Sequence, residues 1–295
     1  MSARLGIDCG GTNTKLLLTD GSGDAASVLR QTRFPTPRHS RALADIVDRV
    51  EEFVNGQQVA SFGIALPGII NDADGTVVTS TNLTWLEGQA PARILGAALR
   101  APGAMVNDGA ATARAEVTLG AARGHSDAFV LALGTGIAGA HIVDGRIRRG
   151  AHGAAGEIGH ISLGGDRICS CGQRGCLETY IGGSQLSDRW RELSGRAGTA
   201  RDLVEAADQG DAGASAVLDD ATSALARSVL GLVALVDPGI IVVGGGVARA
   251  HAQVVEPMTA KARALATFHH LPPIVPAALG IWGAAWGAVL AAREN

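Results

Sequence analysis

One pattern occurs twice in this chain of 295 residues: an apolar strand, a turn built on Gly-Thr, and a second strand. The first copy spans residues 4–19 around the turn CGGTN, and the second spans residues 128–143 around LGTGIA. Such turns leave backbone N–H groups free to face phosphate oxygens, with no Cβ in the way. A third glycine run, VVGGGV at 242–247, ends an apolar strand as expected beside an adenine and ribose. Each run alone has a purely structural interpretation, but together they predict two related lobes that hold a nucleotide.

The remaining sequence alternates apolar strands with segments of helical periodicity, which predicts an α/β fold with helices on the faces of its sheets. The length favours two domains, and 46% hydrophobic against 18% charged residues excludes extensive disorder. We expect helices over residues 40–54, 89–100, 109–120, 177–194, 200–209, 211–236 and 250–266, and a short helix at the C-terminus.

The charge pattern narrows the possible partners. A net charge of −3, with arginines spread along the chain, argues against binding to nucleic acid or anionic membranes, which requires a concentrated basic face. No apolar run is long enough to span a membrane, and the N-terminal residues lead into a strand with no room for a secretory signal. We therefore expect a cytoplasmic protein whose partners are small molecules.

Three of the four cysteines lie in one short loop, with the spacing His160-x8-Cys169-x-Cys171-x4-Cys176. One imidazole and three thiolates form a closed tetrahedral set, which suits a structural zinc ion. A disulfide framework is disfavoured, because a bridge between Cys169 and Cys171 would be strained and any pairing leaves one of the three unpaired. The fourth, Cys9, is interpreted as a small buried side chain.

Polar residues at the edges of this loop are candidates for substrate contacts. A metal-bound loop would hold Glu157, His160 and Glu178 rigidly, and carboxylates accept several hydrogen bonds from sugar hydroxyls. Glu157 taken alone also fits a solvated surface position. For His160 the metal role comes first, with a substrate contact through its other ring nitrogen as a second possibility.

Asn107 and Asp108 follow a predicted strand and precede a predicted helix, where reacting groups of open α/β sheets often lie. Asp108 has two interpretations: a cap for the helix at 109, or a general base that accepts the proton of a hydroxyl attacking a phosphoryl group. Asn107 would orient the same substrate by hydrogen bonds.

Several segments of the chain together resemble the ROK family of bacterial sugar kinases and sugar-responsive repressors, with the glucokinase branch the most similar. The resemblance spans nearly the whole chain, and the zinc segment is its most specific part. The motifs occur in the family order: DCGGTNTK, ALPGIINDADGTVVTSTNLTW, VNDGAATARAE, LGTGIAGAHIVDGRIRRGAHGAAGEIGHI, CSCGQRGCLETYIGG and VVGGGV.

This resemblance implies a two-lobed, actin-like (ribonuclease-H-like) ATPase fold with a zinc-bound loop. The small N-terminal domain would contain residues 1–115, joined by a C-terminal helix at 281–295, and the large domain residues 116–280. A homodimer is a family expectation as well.

The resemblance also implies roles for individual residues, with Asp108 as the catalytic base. The sugar would be held by Gly68, Asn82, Asn107, Asp108, Glu157, His160 and Glu178. Structural zinc would be held by His160, Cys169, Cys171 and Cys176. ATP and Mg²⁺ would be surrounded by Asp8, Gly10, Gly11, Thr12, Asn13, Thr135, Gly136, Gly244 and Gly245.

The implied activity is that of an ATP-dependent hexokinase-type phosphotransferase, with glucose as the first substrate to expect. Alternatives are a kinase for mannose, fructose, an N-acetylhexosamine or aminodeoxyglucose, and a glucokinase that uses polyphosphate. A non-catalytic sugar sensor of the repressor type is less favoured, because only seven residues precede Asp8 and a helix-turn-helix domain needs more.

Overall fold

The structure is a computed structural model that describes residues 3–21, 27–71 and 73–292. The chain divides into two compact units. Unit 1 contains Met1–Gly124, Ile147–Ala155 and Ala278–Asn295, and unit 2 contains His125–Arg146 and Gly156–Ala277. The predicted α/β fold is confirmed.

Unit 1 is built on a five-stranded sheet of order β3-β2-β1-β4-β7. β1, β2 and β3 form an antiparallel meander, whereas β4 and β7 run parallel to β1. A separate hairpin pairs β5 with β6. The strands are β1 (Ala3–Cys9), β2 (Asn13–Thr19), β3 (Val28–Pro35), β4 (Val59–Leu66), β5 (Ile69–Asn71), β6 (Thr76–Thr79) and β7 (Gly103–Asn107).

The helices of unit 1 cover this sheet, and the last of them is fully enclosed. All residues of α9 are buried, and it packs against β1, β4 and α3. The approach is close enough that a Cβ at Gly6 of β1 would lie 2.1 Å from the carbonyl oxygen of Ala285. The helices are α1 (Ala42–Val54), α2 (Pro91–Leu99), α3 (Asp108–Thr118) and α9 (Gly283–Ala291).

Unit 2 contains a second five-stranded sheet, of order β10-β9-β8-β11-β12. β8 pairs antiparallel with β9 across the second glycine turn, and β11 and β12 run parallel to β8. The sheet therefore repeats the plan of unit 1, as the duplicated strand–turn–strand pattern predicts. Its strands are β8 (Ala128–Leu133), β9 (Ile137–Val143), β10 (Arg146–Ile147), β11 (Ile241–Gly244) and β12 (Ile274–Pro276).

The core of unit 2 lies between this sheet and its helices, of which α7 is the longest. The single helix predicted over 177–194 is wrong, because the chain breaks at Gly182 between α4 and α5. At the break, Gly183 N–H donates to the carbonyl oxygen of Gly134 at 2.9 Å instead of continuing the helix. The helices are α4 (Leu177–Ile181), α5 (Gly183–Ser194), α6 (Ala200–Asp208), α7 (Ala212–Val236) and α8 (Glu256–Leu265).

The predicted helix at 250–266 also begins differently, since a π-helical turn at His251–Val255 precedes α8. None of the helices in the described part of the chain has the length and apolar character needed to cross a lipid bilayer.

Candidate active site

The first glycine turn, residues 10–13, joins β1 to β2 in unit 1. The Gly10 N–H closes it by donating to the Asn13 carbonyl at 3.2 Å. Strand register places Asp8 opposite Lys15, and Lys15 Nζ lies 2.6 Å from Asp8 Oδ2. Both side chains are largely buried, so the ion pair balances two charges that would be costly alone. Asp8 Oδ1 makes no hydrogen bond to the residues described, and is the oxygen left for a cation.

Asn107 ends β7 and caps α3, so the interpretation of Asp108 as the cap is wrong. Asn107 Oδ1 accepts a hydrogen bond from Ala110 N–H at 3.1 Å, and Asn107 Nδ2 donates to the Gly68 carbonyl at 3.0 Å. Two of the residues assigned to the sugar are thus in direct contact. A second amide hydrogen of Asn107 remains for a ligand.

Asp108 is the first residue of α3, where the partial positive charge of the helix terminus favours a carboxylate. Its side chain is half-buried, and its Oδ1 accepts a hydrogen bond from Gly109 N–H at 2.8 Å. Burial raises the pKa of the Cys9 thiol to about 12, and the charges of Asp8 and Asp108 contribute to this shift. Both carboxylates therefore lie within electrostatic range of Cys9.

The candidate residues of unit 1 follow the ends of three parallel strands. The first glycine turn follows β1, Gly68 follows β4, and Asp108 follows β7. The carboxyl ends of parallel strands share one edge of a sheet, which is the usual ligand edge of α/β folds. Asn82 lies in the loop after β6, half-buried, and within the described residues its side chain has no hydrogen-bond partner.

In unit 2 the second glycine turn and the third glycine run come together. Gly245 has a φ of +93°, and a Cβ there would lie 2.3 Å from the carbonyl oxygen of Leu133. Gly134 N–H donates to the Gly136 carbonyl at 2.9 Å and closes the turn after β8. The residues assigned to ATP in this unit, Thr135, Gly136, Gly244 and Gly245, therefore surround the carboxyl ends of β8 and β11.

Glu178 lies in the first turn of α4 and is 6% exposed. Its Oε2 accepts a hydrogen bond from Ile137 N–H at 2.9 Å, and its Oε1 accepts one from the Ser170 hydroxyl at 3.3 Å. The carboxylate is thus fixed between the second glycine turn and the cysteine loop. Each oxygen can still accept a hydrogen bond from a ligand, because a carboxylate oxygen accepts more than one hydrogen bond.

Glu157 directly precedes a 3₁₀ turn at Ile158–His160 and is half-buried. Burial raises the pKa of this carboxyl group, the Glu178 carboxylate adds to the increase, and His160 opposes it. The three residues assigned to the sugar in unit 2 are therefore close enough to interact electrostatically. The geometry disfavours a freely solvated surface position for Glu157.

The four predicted zinc ligands form one cluster. The ligand atoms of His160, Cys169, Cys171 and Cys176 all lie within 4.8 Å of one another. His160 Nδ1 is 3.5 Å from Cys169 Sγ, which leaves Nε2 pointing away from this thiol, and Cys171 Sγ is 3.7 Å from Cys176 Sγ. All four cysteines are free thiols.

This geometry fits zinc. A tetrahedral ion with Zn–S bonds of about 2.3 Å separates two sulfurs by about 3.8 Å, close to the distance between Cys171 and Cys176. Burial, together with the neighbouring thiols of Cys171 and Cys169, raises the pKa of Cys176 to about 12. Metal binding must therefore displace protons from the cluster.

Three supporting residues are absent from the sequence-based assignment. Lys15 pairs with Asp8, and Ser170 donates to Glu178. Gln173 Nε2 donates to the His160 carbonyl at 2.9 Å and to Cys176 Sγ at 3.5 Å, a bond that would favour the thiolate form required for metal binding. Only Lys15 has a sequence signal, since a tight hairpin places it opposite Asp8.

Comparison with known proteins identifies relatives along almost the whole chain. The family model described as ROK family matches residues 4–295. The N-acetylgalactosamine kinase AgaK of Shewanella sp. (strain ANA-3) is 32% identical over 255 residues, covering 82% of this chain and 80% of that protein. The glucokinase of Streptomyces coelicolor is 30% identical over 277 residues, covering 88% and 86%.

A solved structure is similar to this chain over its whole length. A ROK family glucokinase from Streptomyces griseus, in complex with glucose and AMPPNP, superposes with a TM-score of 0.89 at 26% identity, over 100% of both chains.

Proposed function

The chain belongs to the ROK family, and we propose that it is a sugar kinase that transfers the γ-phosphoryl group of ATP to a hydroxyl group of a hexose. The observation that carries this proposal is the position of Asp108. It is a half-buried carboxylate at a helix N-terminus, on the sheet edge that also carries the first glycine turn. A base for the acceptor hydroxyl is therefore held beside a candidate phosphate-binding turn.

In the reaction, Asp108 accepts the proton of the sugar hydroxyl while that oxygen forms a bond to phosphorus and the bond to ADP breaks. Asn107 orients the acceptor through the amide hydrogen that Gly68 does not use. Asn82 contributes a side chain that makes no hydrogen bond within the described protein.

Each unit offers candidate donor contacts at its own glycine turns. In unit 1 the residues are Gly10, Gly11, Thr12 and Asn13, and in unit 2 they are Thr135, Gly136, Gly244 and Gly245. Asp8 would hold Mg²⁺, which would neutralise negative charge on the phosphates. The ion pair with Lys15 fixes this carboxylate in position.

On the sugar side, Glu157, His160 Nε2 and Glu178 bind hydroxyl groups. The cysteine loop holds them in place, and His160, Cys169, Cys171 and Cys176 would hold structural zinc. The zinc would supply rigidity and not catalysis, because four protein ligands would leave no open coordination position.

Glucose is the first candidate sugar, as in the name of the Streptomyces coelicolor relative. An N-acetylhexosamine is the second, favoured by the N-acetylgalactosamine kinase relative at 32% identity. One coupled assay tests both: purified protein with glucose, mannose, fructose, N-acetylglucosamine, N-acetylgalactosamine and glucosamine, each with ATP or polyphosphate. Sugar-dependent ADP release with ATP supports the proposal. Formation of no sugar phosphate from either donor contradicts it.

Two further parts of the proposal concern the protein's surroundings. A kinase that consumes ATP and carries reduced cysteines fits the cytoplasm. The family resemblance favours a homodimer, which light scattering of the purified protein would test.

A further inference from the structure

The loop that follows β3 returns to the first glycine turn. Thr36 is buried, and its hydroxyl donates to the Gly10 carbonyl at 2.7 Å while its backbone N–H donates to the Thr12 carbonyl at 3.0 Å. The same hydroxyl lies 2.9 Å from Thr14 Oγ1 on β2. Because these bonds fix Thr36 to the turn, the residues directly after it are held there too.

Arg38 is one of these residues. It follows Pro37, whose ring restricts the backbone, and its guanidinium group donates an N–H to the carbonyl oxygen of Gly11. Arg38 is exposed, so the other N–H donors of the planar guanidinium remain available to a ligand at the turn.

The charge balance at the turn distinguishes Arg38 from Lys15. Lys15 is compensated by Asp8 at 2.6 Å and is mostly buried. Arg38 has no carboxylate within ion-pair distance among the described residues, and the Gly11 carbonyl is its single hydrogen-bond partner there. Arg38 therefore adds an uncompensated positive charge to the first glycine turn.

We propose that Arg38 is a donor-binding residue, whose guanidinium group binds phosphoryl oxygens of the phosphate donor at the first glycine turn. A guanidinium group matches the geometry of two phosphate oxygens, and the bond to Gly11 orients its plane in advance. This inference rests on the proposed function, since it takes the first glycine turn as part of the donor site.

The test measures binding as well as catalysis. Titration calorimetry with AMPPNP, and separately with AMP, compares the parent enzyme with Arg38→Gln and Arg38→Lys. The control is Arg41→Gln, which removes an exposed arginine three positions further along, whose side chain makes no hydrogen bond to residues 10–13 within the described part of the chain. Melting temperatures identify any variant that has lost its fold.

Arg38→Gln is expected to weaken AMPPNP binding roughly 10- to 100-fold, the range for a lost hydrogen bond between charged groups. The affinity for AMP, which lacks the terminal phosphates, should change much less. Arg41→Gln should bind both ligands with the affinity of the parent. Arg38→Lys keeps the positive charge but lacks the planar guanidinium group. Its affinity for AMPPNP should therefore lie between those of the parent and Arg38→Gln. The salt dependence of AMPPNP binding also becomes shallower in Arg38→Gln, because one phosphate contact is lost.

Parent-like AMPPNP affinity in Arg38→Gln overturns the inference, and so does an equal loss for AMPPNP and AMP, which would mean that Arg38 only shapes the turn. If Arg38→Gln melts early, the Arg38→Lys comparison decides by the same two criteria. A parent enzyme that binds AMPPNP but phosphorylates no sugar would refute the kinase proposal alone. An active parent with an unchanged Arg38→Gln affinity would refute the Arg38 inference alone.

Discussion

The carboxylate of Glu178 accepts a hydrogen bond from the backbone N–H of Ile137 at 2.9 Å, and so connects the cysteine loop to the second glycine turn. The residues are 41 positions apart in the chain. Ile137 directly follows the turn, and Glu178 lies two positions after Cys176, the last cysteine of the loop. One buried side chain therefore serves both the candidate sugar site and the candidate donor site of unit 2.

Substitutions of Glu178 should separate these two roles. In Glu178→Gln the amide oxygen can still accept from Ile137 N–H while its NH₂ group faces Ser170, so the turn keeps its shape but the charge is lost. We expect sugar affinity to fall roughly 10- to 100-fold with little change for ATP. Glu178→Ala leaves the Ile137 N–H without a partner, and affinity for both substrates should fall.

The measurement is the KM for sugar and for ATP in each variant. Glu192→Gln is the control, since Glu192 is exposed and, among the described residues, forms an ion pair with Arg167 alone. An unchanged sugar KM in Glu178→Gln would remove Glu178 from the sugar site.

Glu116 is fully buried and joins α3 to the segment before α9. Its carboxylate accepts hydrogen bonds from the N–H groups of Ala121 at 2.8 Å, Ala278 at 3.1 Å and Leu279 at 3.0 Å. Glu116→Gln replaces one acceptor oxygen by a donor that faces these N–H groups. We expect the free energy of unfolding of unit 1 to fall by about 1.5 to 3 kcal/mol.

Urea unfolding of Glu116→Gln measures this loss, with exposed Glu51→Gln in α1 as the matched control. A midpoint equal to that of Glu51→Gln would show that the buried hydrogen bonds contribute nothing.

Cys171→Ser should release zinc and weaken sugar binding, because the loop that positions Glu157 and Glu178 loses a ligand. Metal analysis is expected to give about one zinc per chain in the parent and much less in the variant. Cys9→Ala is the control, since Cys9 lies outside the cluster, and it should keep its zinc. Full zinc content in Cys171→Ser would exclude Cys171 as a ligand.

The thiols should also differ in reactivity. The thiolate is the reactive form, and the pKa of Cys9 is raised to about 12 by burial, so at pH 8 this residue stays protonated and unreactive. We expect a chelator to make Cys171, the exposed cysteine of the loop, available to a thiol reagent, and urea to make all four cysteines available. Labelling of Cys9 on chelation alone would contradict its burial.

Features set by local spacing could be predicted from the sequence. The strands around both glycine turns and the cluster of His160 with three cysteines follow from residues close together in the chain. Physical chemistry alone suffices there, because turn geometry and metal coordination restrict short segments strongly.

Features set by distant contacts could not be predicted. The helix break at Gly182 depends on the carbonyls of the second glycine turn, and the role of Glu116 depends on N–H groups more than 160 positions away. The helical periodicity of the sequence shows neither the break at Gly182 nor the contacts of Glu116. Both depend on tertiary hydrogen bonds, which override local helix propensity. The sequence offers two adjacent residues, Asn107 and Asp108, that could cap α3. The backbone geometry is needed to show that Asn107 is the cap.

The most direct test of the account is sugar-dependent ADP release by Asp108→Asn. The substitution keeps an oxygen that can accept from Gly109 N–H, so the fold and substrate binding should be retained while the proton acceptor is lost. The account predicts that kcat falls by roughly 10² to 10⁴, with Asp48→Asn on the exposed face of α1 as active as the parent. A folded Asp108→Asn protein that phosphorylates sugar at nearly the parent rate would contradict it.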